Sequence, residues 1–198
     1  MSKLVGKTIA ITLAVIVGLL AVTFGAFALF SPKVLGNLFS DMGAYSASVH
    51  FYESQYSKTE SLDDLALLID KLDFENDTEK AKDYLGKMVL SQGFSEYCSS
   101  IDSSNSLIPV KDYYNGLYAE ALFVLGQEDS AISFCASAVA SGYGEFNPFR
   151  ALISIDGVTD IQLEKIKQAI ENQLANLSSE ELDIATNDIA DIDTLING

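Results

Sequence analysis

The chain has 198 residues and a formal net charge of −16, from 12 Lys and Arg against 28 Asp and Glu. A surface this acidic repels nucleic-acid phosphates and anionic lipid headgroups, which argues against nucleic-acid binding and keeps the protein soluble by self-repulsion. Acidic surfaces also suit cationic partners, although an acidic exterior that is simply solvated explains the same composition.

The first predicted element is an uncharged apolar stretch from Thr8 to Phe30. As a helix that rises about 1.5 Å per residue it reaches roughly 34 Å, enough to cross a hydrocarbon core about 30 Å thick. We therefore expect a single transmembrane anchor over residues 8–30 after a cytoplasmic N-terminal segment, 1–7. Lys3 and Lys7 precede the stretch and every acidic residue follows it, so the positive-inside rule predicts an extracytoplasmic body.

A cleaved signal peptide is the alternative interpretation of the same stretch. Its features are the two N-terminal lysines and the sequence Ala26-Phe27-Ala28, which has the small-x-small form of a cleavage site. The apolar stretch is longer than the roughly 7–15 residues of a signal-peptide core, which favours an uncleaved anchor. Both interpretations place the acidic body on the same side of the membrane.

After the anchor, residues 31–40 are predicted to be a linker and residues 41–198 an all-α domain. Apolar residues recur at spacings of three and four, and alternation of apolar and polar residues is rare, which favours helices over strands. Helices are predicted near 41–58, 61–73, 77–92, 94–101, 110–126, 128–142, 159–176 and 179–196.

The ends of several of these helices carry their own signals. An N-cap residue followed three positions later by Glu or Gln predicts a helix start, and a glycine that can enter the left-handed C-terminal cap predicts a helix end. Starts are predicted at Asn76, Thr159 and Ser178, and ends at Gly93, Gly126 and Gly142.

The last two predicted helices each have one apolar face. We expect them to form an antiparallel hairpin with both apolar faces buried, although a dimerising or partner-binding hairpin has the same pattern. Asp188, Asp191 and Asp193 are predicted to follow the solvent side of the last helix.

A weak internal repeat organises the middle of the body. Gly86, Gly93 and Cys98 recur in register thirty-three residues later as Ala119, Gly126 and Ala131. Residues 118–139, with Leu125-Gly126 at the end of the first helix and Ala131 in the second, resemble a tetratricopeptide repeat. The resemblance covers residues 79–145 and implies stacked antiparallel helical hairpins, and a generic helical bundle is the alternative.

The sequence departs from the family pattern in two ways. Lys82 and Asn115 stand where an aromatic residue is usual, and residues 141–144 lack the closing proline. What the resemblance implies for function is a concave surface, formed by the first helices of the hairpins, that binds peptides or helices.

Four residues of this sequence correspond to that surface and are the candidate partner-binding residues: Tyr113, Glu120, Phe123 and Val124. For Phe123 and Val124 we prefer ordinary core packing, because large apolar residues on helices are usually buried. Tyr113 and Glu120 are the better surface candidates.

Groups for catalysis or metal binding are sparse. His50 is the one histidine, so an imidazole cluster for zinc is excluded, and an enzyme would have to depend on His50 with Glu53 three residues later. Neither a glycine-rich phosphate loop nor a Gly-x-Ser-x-Gly motif is present. We expect no enzymatic activity, no metal site and no cofactor.

The acidic run over residues 73–79 begins like a calcium-binding EF-hand loop. It fails as one because Thr78 replaces the glycine of the sharp turn and Tyr84 replaces the closing glutamate. A turn between two helices, with acidic residues at the start of the second, is the better interpretation.

The sequence contains two cysteines, Cys98 and Cys135. An oxidising exterior would allow a disulfide between them, and buried free thiols are the preferred interpretation.

Together these features predict a single-pass membrane protein whose extracytoplasmic domain binds a protein partner, as a scaffold or as an accessory subunit of a membrane or envelope complex. The architecture resembles inner-membrane tetratricopeptide proteins that assist exported chains. A solute-binding helical receptor with a tyrosine-lined pocket is the alternative, and a hydrolase that uses His50 is the weaker one.

Overall fold

The computed structural model describes residues 2–102 and 107–198, without the side chains of residues 2–10 and Phe74. Every regular element in this part of the chain is helical, which confirms the all-α fold class. The helices are α1 (Ser2–Phe30), α2 (Pro32–Asp41), α3 (Tyr45–Thr59), α4 (Leu62–Glu75), α5 (Thr78–Val89), α6 (Phe94–Ile101), α7 (Val110–Val124), α8 (Glu128–Val139), α9 (Pro148–Ile153), α10 (Asp160–Glu171) and α11 (Ser179–Asn197), with a 3-10 turn over Leu174–Asn176.

Two of these helices lie where the sequence predicted none. Helix α2 occupies almost all of the segment predicted as a linker, and α9 occupies a predicted loop. Both begin with a proline, Pro32 or Pro148, in the first turn, where the missing N–H is not needed and the fixed φ suits a helix. Both prolines thus mark the start of a helix.

The predicted helix starts at Thr159 and Ser178 are confirmed, because both residues form complete capping boxes. The start predicted at Asn76 is one residue early. Asp77 is the N-cap of α5, and its carboxylate accepts the Lys80 N–H at 3.1 Å. Asn76 instead ends α4 with a left-handed φ of 57°, a conformation that asparagine tolerates better than most residues.

The predicted helix ends are confirmed in part. Gly126 follows α7 with a φ of 75°, and Gly142 follows α8 with a φ of 147°, so both have conformations that favour glycine. The end predicted at Gly93 is wrong: this residue has a φ of −86° and is the N-cap of α6.

The chain forms two compact units, residues 1–76 and residues 77–198. In the first unit α3 packs against α2 on one side and α4 on the other. The α2–α3 approach requires the small residue Gly36, since a Cβ there would lie 3.1 Å from the ring of Tyr52. Ser48, fully buried, donates to the Gly36 carbonyl oxygen at 2.8 Å and reinforces the same contact.

A buried carboxylate joins α2, α3 and α4 of this first unit. Asp64 of α4 accepts hydrogen bonds from Thr59 Oγ1 at 2.8 Å, Gln55 Nε2 at 3.1 Å and Lys33 Nζ at 3.1 Å. Burial opposes its ionisation, but these hydrogen bonds outweigh burial and lower the pKa of Asp64. The ion pair between Lys33 and Asp64 thus fixes the start of α2 against α4.

Helix α1 belongs to the first unit and contacts it at its C-terminal end. Residues Ile11–Phe30 are long and apolar enough to span a membrane, and none of this stretch is buried. The Phe24 ring lies edge-on to Phe39 and Phe51, with centroids 6.2 and 6.0 Å away. The Lys58 ammonium donates to the Leu29 carbonyl oxygen at 2.5 Å, which satisfies a free carbonyl of the last turn.

The second unit is built around α7, which packs against α5, α6, α8 and α9. The repeat positions Ala119 and Ala131 are fully buried, as small residues at a close helix crossing should be. Gly86, the repeat position that corresponds to Ala119, lies where α5 contacts α7. A Cβ at Gly86 would lie 3.3 Å from the ring of Tyr118, so its small size serves the contact between α5 and α7.

Helices α10 and α11 pack against each other, as the predicted hairpin requires. The prediction that Asp188 follows the solvent side is wrong, because Asp188 is fully buried between Ala185 and Ile192 on the apolar face of α11. Asp191 is exposed as predicted. Asp193 is half-buried and pairs with Lys167 of α10.

Three donors compensate the buried charge of Asp188. Its carboxylate accepts from Arg150 Nε at 2.5 Å, the Tyr143 hydroxyl at 2.8 Å and Asn147 Nδ2 at 3.0 Å. Burial and the adjacent carboxylate raise the pKa of Tyr143, so the phenol remains a donor. Arg150 is the one arginine of the sequence, and this cluster fixes α11 against α9 and the segment before it.

Replacement of Asp188 by alanine should therefore lower the free energy of unfolding by about 3–5 kcal/mol, because it leaves buried donors and a guanidinium without their acceptor. Urea denaturation of the full chain in detergent, followed by circular dichroism, measures the change. The matched control is Asp191→Ala on the same helix, which should change stability by no more than about 0.5 kcal/mol. Equal losses in the two variants would contradict a stabilising role for the cluster.

A second carboxylate on α11 should make stability depend on pH. Glu181 accepts from the backbone N–H groups of Ser178 at 2.8 Å and Tyr143 at 2.9 Å. Hydrogen bonds to Ser178, then to Tyr143, lower the pKa of Glu181 to about 2. Because the folded-state pKa is depressed below the ordinary glutamate value of 4.5, the stabilisation is complete above pH 4.5 and is lost as the pH falls toward 2.

We expect Glu181→Gln to be less stable than the unmodified chain at pH 7 and to approach it in stability at pH 3. Urea midpoints measured between these two pH values test this. Glu180→Gln, the neighbouring exposed carboxylate, is the control and should show no such convergence. A constant difference at all pH values would rule out the proposed titration.

Candidate partner-binding surface

The outer face of α7 carries three of the four candidate residues. Tyr113 and Val124 are 51% and 56% exposed, and Glu120 is also exposed. With half-buried Leu117 they lie at spacings of three and four, so they form one stripe along the helix. We call Tyr113, Leu117, Glu120 and Val124 the α7 stripe.

The two neighbouring helices border this stripe on opposite sides. Gly116 faces α9, where a Cβ would lie 3.3 Å from Cβ of Ala151, and Tyr118 faces Gly86 of α5. With 3.6 residues per turn, positions 116 and 118 point about 200° apart, and the stripe lies between them. The stripe is therefore the accessible surface of α7 between α5 and α9.

Phe123 does not belong to this surface. It is 6% exposed and lies in the core with Leu122, Phe149 and Leu152. The sequence favours core packing for both Phe123 and Val124. In the structure Phe123 lies in the core, whereas Val124 is exposed. The reason is geometric, because one residue rotates the side chain by about 100° and moves it from the buried side of the helix to the exposed side.

Aromatic contacts hold the Tyr113 side chain. Its ring lies edge-on to Tyr114 with centroids 5.3 Å apart, and Tyr114 in turn contacts Phe94 of α6 at 6.3 Å. A tyrosine fixed in this way contributes contact area to an interface at low entropic cost. Chemically the stripe combines an aromatic ring, aliphatic groups and one carboxylate, which suits an amphipathic helix or an extended peptide.

A cleft of about 440 Å³ lies beside α7, against α6 and α8. Lys111 lines it and donates to Ser141 Oγ at 3.2 Å, while the buried Ser91 hydroxyl has no hydrogen-bond partner. Serines at 133, 137 and 141 share one face of α8 and its end, a spacing that is visible in the sequence but was not interpreted there. The Ser137 and Ser141 hydroxyls donate to carbonyls of their own helix, so the cleft offers few free donors.

This cleft does not provide the tyrosine-lined pocket of the solute-binding alternative. Its other lining residues are mainly apolar, including Phe94 and Phe134. The α7 stripe, with its larger exposed side chains, is the stronger candidate for recognition.

The residues singled out for chemistry are scattered. His50 is exposed on α3, with its ring beside Phe51. Among the residues that the structure describes, no three His, Cys, Asp or Glu side chains are grouped to hold a metal ion. The acidic run over residues 73–79 forms the predicted turn between two helices, α4 and α5.

No family model, curated protein or solved structure matches the chain. Two features of its own geometry carry the functional argument: the α7 stripe and the exposed apolar surface of α1.

Cys98 and Cys135 are buried free thiols. Burial raises the pKa of Cys98 to about 11 and also raises the pKa of Cys135, so neither is a reactive thiolate near neutral pH. Cys98 lies in α6 and Cys135 in α8. They pack as small apolar side chains.

Both thiols should resist alkylation by iodoacetamide in the folded protein and react fully in urea without any reductant, because unfolding removes the burial that suppresses the thiolate. Mass spectrometry of the intact chain counts the added groups. A chain that requires reduction before it can be alkylated in urea would show that a disulfide is present.

Proposed function

We propose that this protein is a membrane-anchored scaffold that binds a protein partner outside the cytoplasm through the α7 stripe. The observation that carries the proposal is the stripe itself, an exposed and largely apolar surface on the helix around which the second unit is built. Exposed aromatic and aliphatic groups on a rigid helix are typical of interaction sites. The partner is a protein segment that can lie along the helix between α5 and α9.

An uncleaved anchor is part of the proposal. Phe24 packs with Phe39 and Phe51, and the Leu29 carbonyl accepts from Lys58, so the C-terminal end of α1 is integrated into the first unit. Cleavage after Ala28 would remove Phe24 from its aromatic cluster. These contacts favour a retained helix over a signal peptide, and the lysines at positions 3 and 7 favour a cytoplasmic N-terminus.

The tetratricopeptide-like arrangement is the third part. Helix α7 packs against both α5 and α9, each two helices away along the chain. Stacked hairpins make this kind of contact between neighbouring first helices, and their exposed faces then form a continuous binding surface. Gly86 and Gly116 allow these contacts to be close.

The proposal predicts site-specific photo-crosslinking from the α7 stripe. A benzophenone amino acid at Tyr113 or at Val124 should give the same discrete adduct when the full-length protein is irradiated in intact cells, because both positions face one bound partner. Gel electrophoresis and mass spectrometry identify the adduct.

Ile161, which is 75% exposed on α10, provides the matched control. The same probe at Ile161 tests whether any exposed apolar position captures protein. The proposal is wrong if the stripe positions give no discrete adduct or if Ile161 gives the same one.

A further inference from the structure

Helices α1 and α2 fold back on each other at Ser31, the one residue between them. Phe24 precedes the end of α1 by six residues, and Phe39 follows the start of α2 by seven, yet their ring centroids are 6.2 Å apart. This contact is possible only if α2 returns alongside the last turns of α1. Phe51 of α3 stacks on Phe39 at 5.5 Å and completes the cluster.

The depth of α2 follows from this geometry. At about 1.5 Å per residue, Phe24 lies roughly 9 Å before the end of the apolar stretch Ile11–Phe30. The end of α2, at Phe39, must lie at the same level as Phe24. If α1 spans the bilayer, α2 therefore runs from the membrane surface back toward the hydrocarbon.

Helix α2 also carries an exposed apolar stripe. Its buried face, with Leu35 and Gly36, packs on α3. On the other face Val34 and Leu38 are each 50% exposed, and Met42, the residue directly after α2, is 69% exposed; the three lie four residues apart. This surface continues the exposed apolar surface of α1, where Leu29 and Phe30 are 69% and 84% exposed.

The charge distribution agrees with a position in the membrane interface. Between Lys33 and Glu53 the sequence contains a single Asp, Glu, Lys or Arg residue, Asp41, whereas the other 27 of its 28 acidic residues come later. Lys58, bound to the Leu29 carbonyl, marks the headgroup level at the end of α1. Asp41 is exposed at the end of α2, and a carboxylate in the hydrocarbon core is costly, so the end of α2 and the last turns of α1 beside it must lie in the interface.

We infer that α2 lies in the bilayer interface and that Val34, Leu38 and Met42 contact lipid acyl chains. The inference rests on the proposed insertion of α1. Lipid is the occupant because the stripe is continuous with α1 and lies at a depth where the surrounding medium is the membrane. The first unit is consequently held against the bilayer by two helices instead of one.

Tryptophan fluorescence tests this directly, because the sequence contains no tryptophan. Leu38→Trp and Met42→Trp each introduce a single indole into the full-length protein, reconstituted in phosphatidylcholine vesicles that contain acyl-brominated phosphatidylcholine. Val22→Trp on α1 and Val124→Trp on α7, at positions 72% and 56% exposed, are the membrane and aqueous references. Circular dichroism checks the helix content of each variant.

Bromolipid should quench the Leu38 and Met42 variants at least about twice as strongly as the Val124 variant, as expected for an interfacial helix. Iodide on both sides of the vesicles should quench only the Val124 variant strongly. Either of the two α2 positions suffices if the other substitution disturbs folding.

Three results would overturn the inference. In the first, bromolipid quenches the Val22 variant, but the Leu38 and Met42 variants are quenched by iodide and not by bromolipid. In that case α1 is inserted in the membrane and α2 lies in water. If neither quencher reaches the two α2 positions, protein covers the stripe, as in a dimer. If bromolipid fails to quench the Val22 variant as well, α1 is not inserted and the proposed membrane anchoring fails too.

Discussion

Burial of a carboxylate is expensive unless every lone pair is compensated, and each compact unit of this protein depends on one such compensation. Asp64 holds the start of α2 through Lys33 and the end of α3 through Thr59 and Gln55. Asp188 holds α9 and the segment before it through Arg150, Asn147 and Tyr143. The sequence has 12 Lys and Arg residues, and two of them, Lys33 and Arg150, pair with these two buried carboxylates.

Both proposed interaction surfaces follow from where these clusters place their helices. The hydrogen bond between Lys33 and Asp64 fixes the first turn of α2, and the contact between Phe24 and Phe39 fixes its last turn. With both ends fixed, α2 does not rotate to bury Val34 against α3. Asp188 positions α9, which borders α7 at Gly116. Helices α5 and α9 are therefore held on the two sides of α7, and the α7 stripe between them stays exposed.

Local signals in the sequence predicted the structure well where the determining interactions are themselves local. The capping boxes at Thr159 and Ser178 involve residues three apart, and both are present as predicted. Helix α2 was missed because its glycine, asparagine and proline resemble a linker, and its stability comes from Gly36 against Tyr52, sixteen positions later. Asp188 was misplaced for the same reason, since its partner Arg150 is 38 residues away and a charge is ordinarily predicted to face solvent.

The candidate surface shows the same limit at the level of single residues. Tyr113, Glu120 and Val124 share a face by helical periodicity, but periodicity alone does not say which face the neighbours leave open. Phe123 and Val124 are adjacent and similar in chemistry, and only the positions of α5, α8 and α9 separate them into core and surface.

In the proposed membrane setting, charge and apolar contact act on the protein in opposite directions. The acidic body is repelled by anionic headgroups, but this repulsion is screened over a Debye length of about 10 Å at moderate salt. The hydrophobic effect also acts, through the contact of acyl chains with Val34, Leu38 and Met42. It requires direct contact, and salt does not screen it. Rising ionic strength should then weaken the repulsion and leave the contact of α2 with lipid intact. The first unit therefore stays at the membrane at high salt, where a basic protein attached by electrostatic attraction would dissociate.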